Sequence, residues 1–122
     1  RDTIIPGTHD SATCSIPKAA PFSAVGRTQN RTITDQLNRG ARYLDLRVGG
    51  KGTNEENIFI YHGFLSGAKF VPILNCIVEF ISDNPGEFLF LEIVLEYGRK
   101  ITDEQRAFLF DSIKSALGEN II

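Results

Sequence analysis

The sequence predicts an α/β domain, and three observations carry that expectation. Short β-favouring runs alternate with segments whose apolar residues recur at helical spacing. One run, Phe88-Leu89-Phe90-Leu91, is apolar without interruption, the pattern of a strand buried on both faces in a parallel sheet. Histidines and charges fall at strand ends, where α/β folds of parallel strands carry their sites. With 122 residues, 42% of them apolar and nine of them Phe, the chain can build the core of one small domain. Neither an internal repeat nor a second domain is visible.

The elements follow in order. Thr3-Ile4-Ile5 reads as a short strand ended by Pro6-Gly7, a turn that presents His9 and Asp10 side by side. Ser11 to Arg31 is rich in Ser, Ala and Pro without sustained periodicity, so a long loop with at most one helical turn is expected. Thr32 or Thr34 can cap a short helix that turns Ile33 and Leu37 inward, and Gly40 supplies its left-handed stop. Arg42 to Val48 alternates strictly, which puts Tyr43, Asp45 and Arg47 on one strand face and Leu44, Leu46 and Val48 on the other. The loop from Gly49 to Asn57 has nine residues. A parallel crossover needs about a dozen or more, so Ile58 to His62 is expected to return antiparallel as a hairpin arm.

Pro72 suits the first turn of a helix whose Ile73, Leu74, Ile77, Val78 and Ile81 share a face, and Asn84-Pro85-Gly86 stops it. The run from Phe88 then continues through Glu92 to Leu95 as a strand. Glu92 interrupts its apolar character, either as a site carboxylate or as a residue at the rim. Thr102 with Gln105 forms a capping box for a last helix, with Leu109, Phe110, Ile113, Ala116 and Leu117 on its buried face and Gly118 at its end. Ile121-Ile122 can begin another strand.

Composition excludes several function classes. A net charge of −2 with no run of like charges gives no field for a nucleic-acid backbone. There is no apolar run of about 18 residues, nor a charged segment leading into an apolar one as in a signal peptide. The chain lacks an initiator Met and starts directly on a strand, so both ends are expected to be cut from a longer polypeptide. Cys14 and Cys76 are too few for a disulfide scaffold and lack metal-ligand spacing; buried thiols or one incidental bridge are expected.

His9 and His62 are the only two histidines, and each follows an apolar strand. With an ordinary pKa near 6.5, such a pair can share general-base and general-acid work. Arg47 adds a permanent charge in a planar fork that matches a phosphate. Asp10 and Asp45 can orient the histidines or hold the arginine, although Asp45 with Arg47 also fits a plain structural ion pair. Together these groups are equipped for phosphoryl transfer without an obvious metal.

Those residues carry a resemblance. Ile5-Pro6-Gly7-Thr8-His9-Asp10-Ser11, Gln36-Leu37, Gly40-Ala41-Arg42-Tyr43-Leu44-Asp45-Leu46-Arg47, Tyr61-His62-Gly63 and Asn84-Pro85-Gly86-Glu87 resemble, in order and spacing, the catalytic X region of phosphatidylinositol-specific phospholipase C. The resemblance implies that the chain is the first half of a distorted (β/α)8 TIM-like barrel, with 1–122 the N-terminal part of an X-type catalytic domain. It implies that His9 takes the proton from the inositol 2-hydroxyl, which attacks phosphorus, and that His62 protonates the departing diacylglycerol oxygen. The product is then inositol 1,2-cyclic phosphate. Asp10 is expected to support the acid histidine, Asp45 to help position the site, and Arg47 to bind the phosphate where calcium-dependent relatives hold a metal. No cofactor or metal is therefore expected, as in the bacterial branch.

The implied partners are phosphatidylinositol or a glycosylated relative and a transient membrane surface, with the other half of the barrel, or a second copy, sealing open sheet edges. An extracellular or membrane-peripheral location follows. Near Val94 the sequence lacks the lysine or glutamate that relatives carry, and the carboxylate partner of His9 is expected from later strands. Two other readings compete: a metal-dependent glycerophosphodiesterase-like or phospholipase D-like barrel with His9, Asp10 and Asp45 as ligands, and a non-catalytic phosphoinositide-binding domain. The Ser15 to Gly26 loop, with Ile16, Pro17, Pro21, Phe22 and Val25, is either a rim contact for lipid or packed on its own barrel.

Overall fold

The computed structural model describes residues 4–122. One five-stranded sheet curls beneath a layer of helices, and it is organised around a single long strand. This strand, β2 (Tyr43–Gly50), pairs in parallel along Tyr43 to Val48 with β5 (Phe90–Leu95). Its other edge is shared. The short β1 (Gly7–Thr8) runs parallel to Tyr43 and Leu44, and β3 (Ile58–His62) runs antiparallel to Val48, Gly49 and Gly50. A further strand, β4 (Leu65–Lys69), closes a hairpin with β3. The antiparallel return expected from the short loop is therefore present.

The alternation of β2 builds the core. Leu44, Leu46 and Val48 are wholly buried, facing α2 (Ile33–Asn38), α3 (Phe70–Asp83) and α4 (Asp103–Leu117) through Ile33, Leu37, Leu74, Ile77 and Leu109. Each such side chain contributes roughly 1.5–3 kcal/mol by burial. Thr32 is the cap of α2, its hydroxyl accepting from the Asp35 N–H, and Gly40 takes the left-handed conformation that ends the segment. The capping box of α4 is complete, and Gln105 also donates to the Gly52 and Asn54 carbonyls, tying the β2–β3 loop to the helix.

Several expectations change. Thr3 lies outside the described residues, and Ile4 and Ile5 form no strand; Ile4 is almost fully exposed. Pairing starts only at Gly7, because Pro6 has no N–H and offers its carbonyl to the Arg42 and Tyr43 amides instead. Gly7 permits this approach, since a Cβ there would lie 2.9 Å from Tyr43 Cβ. In β5, Phe90 stays half exposed, as does Phe88 before it, and Val94 and Leu95 are also open. β5 is therefore not buried on both faces, and no strand among the described residues pairs with its free edge. Phe110 likewise points outward from α4, and the exposed Ile121-Ile122 form no strand.

The loop holds a turn of 3₁₀ helix at Thr13–Ser15 and one α turn, α1 (Ser23–Gly26), with Ile16 buried but Phe22 and Val25 more than two-thirds exposed. Cys14 and Cys76 are both free and half-buried. Among the described residues, no helix is long and apolar enough to cross a membrane.

Candidate active site

β1 and β3 pair with opposite ends of β2, which leaves a gap along one edge at Asp45. The His9-Asp10-Ser11 turn fills it. Ser11 takes both backbone groups of Asp45: its N–H donates to the Asp45 carbonyl at 2.8 Å and its Oγ accepts from the Asp45 N–H at 2.9 Å. Gln36 braces the turn from α2, donating to the Ser11 carbonyl and accepting from the Thr8 hydroxyl. The turn needs an unusual backbone. Asp10 has φ +47°, a left-handed conformation uncommon outside glycine that aspartate adopts more readily than most residues.

That conformation drives the Asp10 carboxylate inward, where it is fully buried. Asp10 Oδ1 lies 2.9 Å from Arg47 Nε; Oδ2 lies 2.9 Å from His9 Nε2 and 3.4 Å from His62 Nε2. Neither oxygen has a well-aligned hydrogen-bond donor, so these are charge contacts rather than directed bonds. Burial pushes the Asp10 carboxyl above its ordinary range, against the pull of Arg47 and the two histidines. Asp45 Oδ2 meets His9 Nδ1 at 3.0 Å and Arg47 Nη2 at 3.3 Å. Hydrogen bonding to Asp45 and the charges of both carboxylates hold Arg47 firmly protonated.

The five sequence-predicted residues His9, Asp10, Asp45, Arg47 and His62 thus meet at this gap along β2. Asp10 touches both histidines, and sits closer to His9 than to the His62 it was expected to support. His9 stands between two carboxylates, with Asp45 at hydrogen-bond geometry to Nδ1 and Asp10 in charge contact with Nε2.

Two residues join the site that sequence reasoning left undecided or overlooked. Glu92 pairs in register with Asp45, and its carboxylate accepts from the Tyr43 hydroxyl. That bond holds the phenol pKa above its ordinary value. With Gly7, Thr8, His9 and Asp45 they line an open cavity of about 260 Å³. The shared face of Tyr43, Asp45 and Arg47 was the signal; only the register of β5 adds Glu92 to it.

His9, Asp10 and Asp45 also offer ligand atoms within 4.8 Å of one another, the arrangement of a metal site. The Arg47 guanidinium, however, already lies against both carboxylates. A hard cation entering there meets a fixed positive charge, so the residues fit an arginine-filled site better than a metal.

Fold and site together define an incomplete α/β barrel with a His/Asp/Arg cluster where β1 and β3 end beside the middle of β2. The chain belongs to the PI-PLC-X family: the family model for the phosphatidylinositol-specific phospholipase C X domain matches residues 4–122. It is 36% identical over 110 residues to human PI-PLC X domain-containing protein 2, covering 72% of this chain and 36% of that protein. It is 32% identical over 92 residues to 1-phosphatidylinositol phosphodiesterase of Listeria monocytogenes, covering 73% of this chain and 27% of that one.

Among solved structures, the phosphatidylinositol-specific phospholipase C of Listeria monocytogenes superposes with a TM-score of 0.73 at 26% identity, over 91% of this chain and 38% of that chain. A Staphylococcus aureus variant matches in fold with a TM-score of 0.73 at 20% identity, over 94% of this chain and 38% of that one. The chain spans 27% to 38% of the length of these four proteins.

Proposed function

We propose that residues 1–122 are the N-terminal part of an X-type catalytic domain that cleaves phosphatidylinositol, or a glycosylated relative, to diacylglycerol and inositol 1,2-cyclic phosphate. The supporting observation is the convergence of His9, His62 and Arg47 on the buried Asp10 carboxylate, all within 3.4 Å. His9 removes the proton of the inositol 2-hydroxyl, whose oxygen attacks phosphorus. Arg47 offers its guanidinium to the charge that gathers on the phosphoryl oxygens. His62 gives a proton to the departing glycerol oxygen as the phosphorus–oxygen bond breaks, and the proton balance closes.

For this role His9 must turn off one of its two carboxylates so that a ring nitrogen can face the hydroxyl. Asp45 then orients the ring, and Asp10 balances the charge that moves between the two histidines. No cofactor enters the scheme. The competing metal-dependent reading draws on the ligand geometry of His9, Asp10 and Asp45, and the position of Arg47 weighs against it.

The substrate lies in a bilayer, and the rim of the site supports contact with one. Phe22 and Phe64 form an exposed edge-to-face pair 6.0 Å apart beside exposed Val25, next to the turn that follows His62. We place the protein extracellularly or at a membrane periphery, with later strands, or a second copy, covering β5. The decisive measurement is cyclic inositol phosphate release by full-length protein: His9→Ala is expected to lower turnover by about 10²–10⁴. Wild-type rates in that variant would end the proposal.

A further inference from the structure

Arg99 lies outside the cluster described above, yet it holds the residues on both sides of His62. It closes a turn after β5, where its N–H donates to the Glu96 carbonyl at 3.0 Å and Gly98 adopts φ +77°. From there the side chain crosses Gly49 on β2. A Cβ at Gly49 would lie 2.8 Å from Arg99 Cβ and 2.9 Å from Tyr61 Cδ2, so glycine is what opens this path. The guanidinium carbon then sits 4.3 Å from the ring centroid of Tyr61, which is buried, and Nε donates to the Gly63 carbonyl at 3.0 Å.

Those two partners are the residues immediately before and after His62. Gly63 has φ +59° and, with Phe64, makes the two-residue turn between the paired His62 and Leu65. Such a turn has its own pivot at the left-handed residue. His62 needs a fixed reach, since its Nε2 is 3.4 Å from Asp10 and its side chain is one-third exposed. A permanent cation stacked on a buried ring and bonded to the turn carbonyl restrains both sides of the pivot.

We propose that Arg99 is a positioning residue for the general acid, clamping the β3–β4 turn so that His62 points at the leaving oxygen. This inference rests on the reading of His62 as the acid. Arg99 touches no reacting group.

The test uses full-length protein and two substrates: monomeric short-chain phosphatidylinositol, whose alkoxide leaving group needs a proton, and a nitrophenyl ester of inositol 1-phosphate, whose leaving group does not. His62→Ala is expected to slow the lipid far more than the activated ester. Arg99→Ala is expected to lower kcat on the lipid on the order of 10- to 100-fold with KM little changed, and to leave the activated ester nearly untouched. Arg99→Lys, which keeps a cation over Tyr61 without the fork, is expected to recover part of that loss. If Arg99→Ala fails to fold, Arg99→Lys decides by the same ratio between substrates.

Equal losses on both substrates, a changed KM at constant kcat, or unchanged kinetics overturns the clamp. If His62→Ala shows the leaving-group dependence and the Arg99 variants do not, only the clamp falls. If His62→Ala shows none, the acid assignment falls and the clamp with it.

Discussion

Replacing Arg47 with alanine removes a permanent cation that touches both buried carboxylates of the site. At these separations a pair of unit charges interacts by about 5–6 kcal/mol at an effective dielectric of 20. Arg47 is one-third exposed, which weakens its contacts through screening, while Asp10 is fully buried. Breaking a fully buried pair costs about 3–5 kcal/mol, so a loss of about 2 kcal/mol of stability is expected here. The larger effect falls on turnover. Removing one preorganised group that meets transition-state charge costs about 10²–10³ in kcat. Arg47→Lys keeps the charge but not the fork that reaches Asp10 and Asp45 together, and is expected to lie between the two.

The assay is cyclic inositol phosphate release from phosphatidylinositol vesicles by full-length protein, with and without EGTA. Wild-type turnover is expected to persist under chelation. A rate for Arg47→Ala within threefold of wild type would refute the reasoning, as would loss of wild-type activity in EGTA that calcium restores.

Other outcomes follow from the same geometry. Burial raises the Asp10 pKa, so folding favours its neutral form; the penalty on the ionised form is absent below the ordinary value near 3.9 and present above the folded-state value. Asp10→Asn is therefore expected to raise the melting temperature at pH 7 by an increment that fades toward pH 4, while kcat falls about 100-fold; a lower melting temperature at pH 7 would contradict this. Phe22→Ala with Phe64→Ala is expected to weaken vesicle binding by about tenfold or more without lowering turnover of a monomeric substrate, as sedimentation with vesicles will show. Leu46→Ala, at a fully buried position, is expected to cost about 2–5 kcal/mol in urea unfolding.

Much of the site was legible because alternation is a geometric statement. Once Arg42 to Val48 is read as a strand, Asp45 and Arg47 must share a face, and they do. The Thr102–Gln105 capping box was legible for a similar reason, since spacing alone specifies its two bonds. β1 was misplaced because Gly7 and Thr8 form a strand by close approach, with no β-favouring run to announce it. β4 was missed because Leu65-Ser66-Gly67-Ala68-Lys69 is poor in β-formers; its place is fixed by contacts such as the Ala68 N–H to Ser15 Oγ. The left-handed Asp10 and the role of Glu92 depend on tertiary neighbours, which no local pattern reports.

The gap along β2 that receives the His9-Asp10-Ser11 turn has a consequence for folding. Its closing contacts join residues far apart in the chain: His9 to Asp45 spans 36 positions, and Asp10 reaches as far as His62. Contacts of such separation form late, after the loops they close have been restrained. A nascent or partly unfolded chain therefore presents two histidines that have no shared carboxylate and no arginine beside them. Competence arrives only with the finished sheet, so during refolding the recovery of turnover should lag behind the recovery of helix.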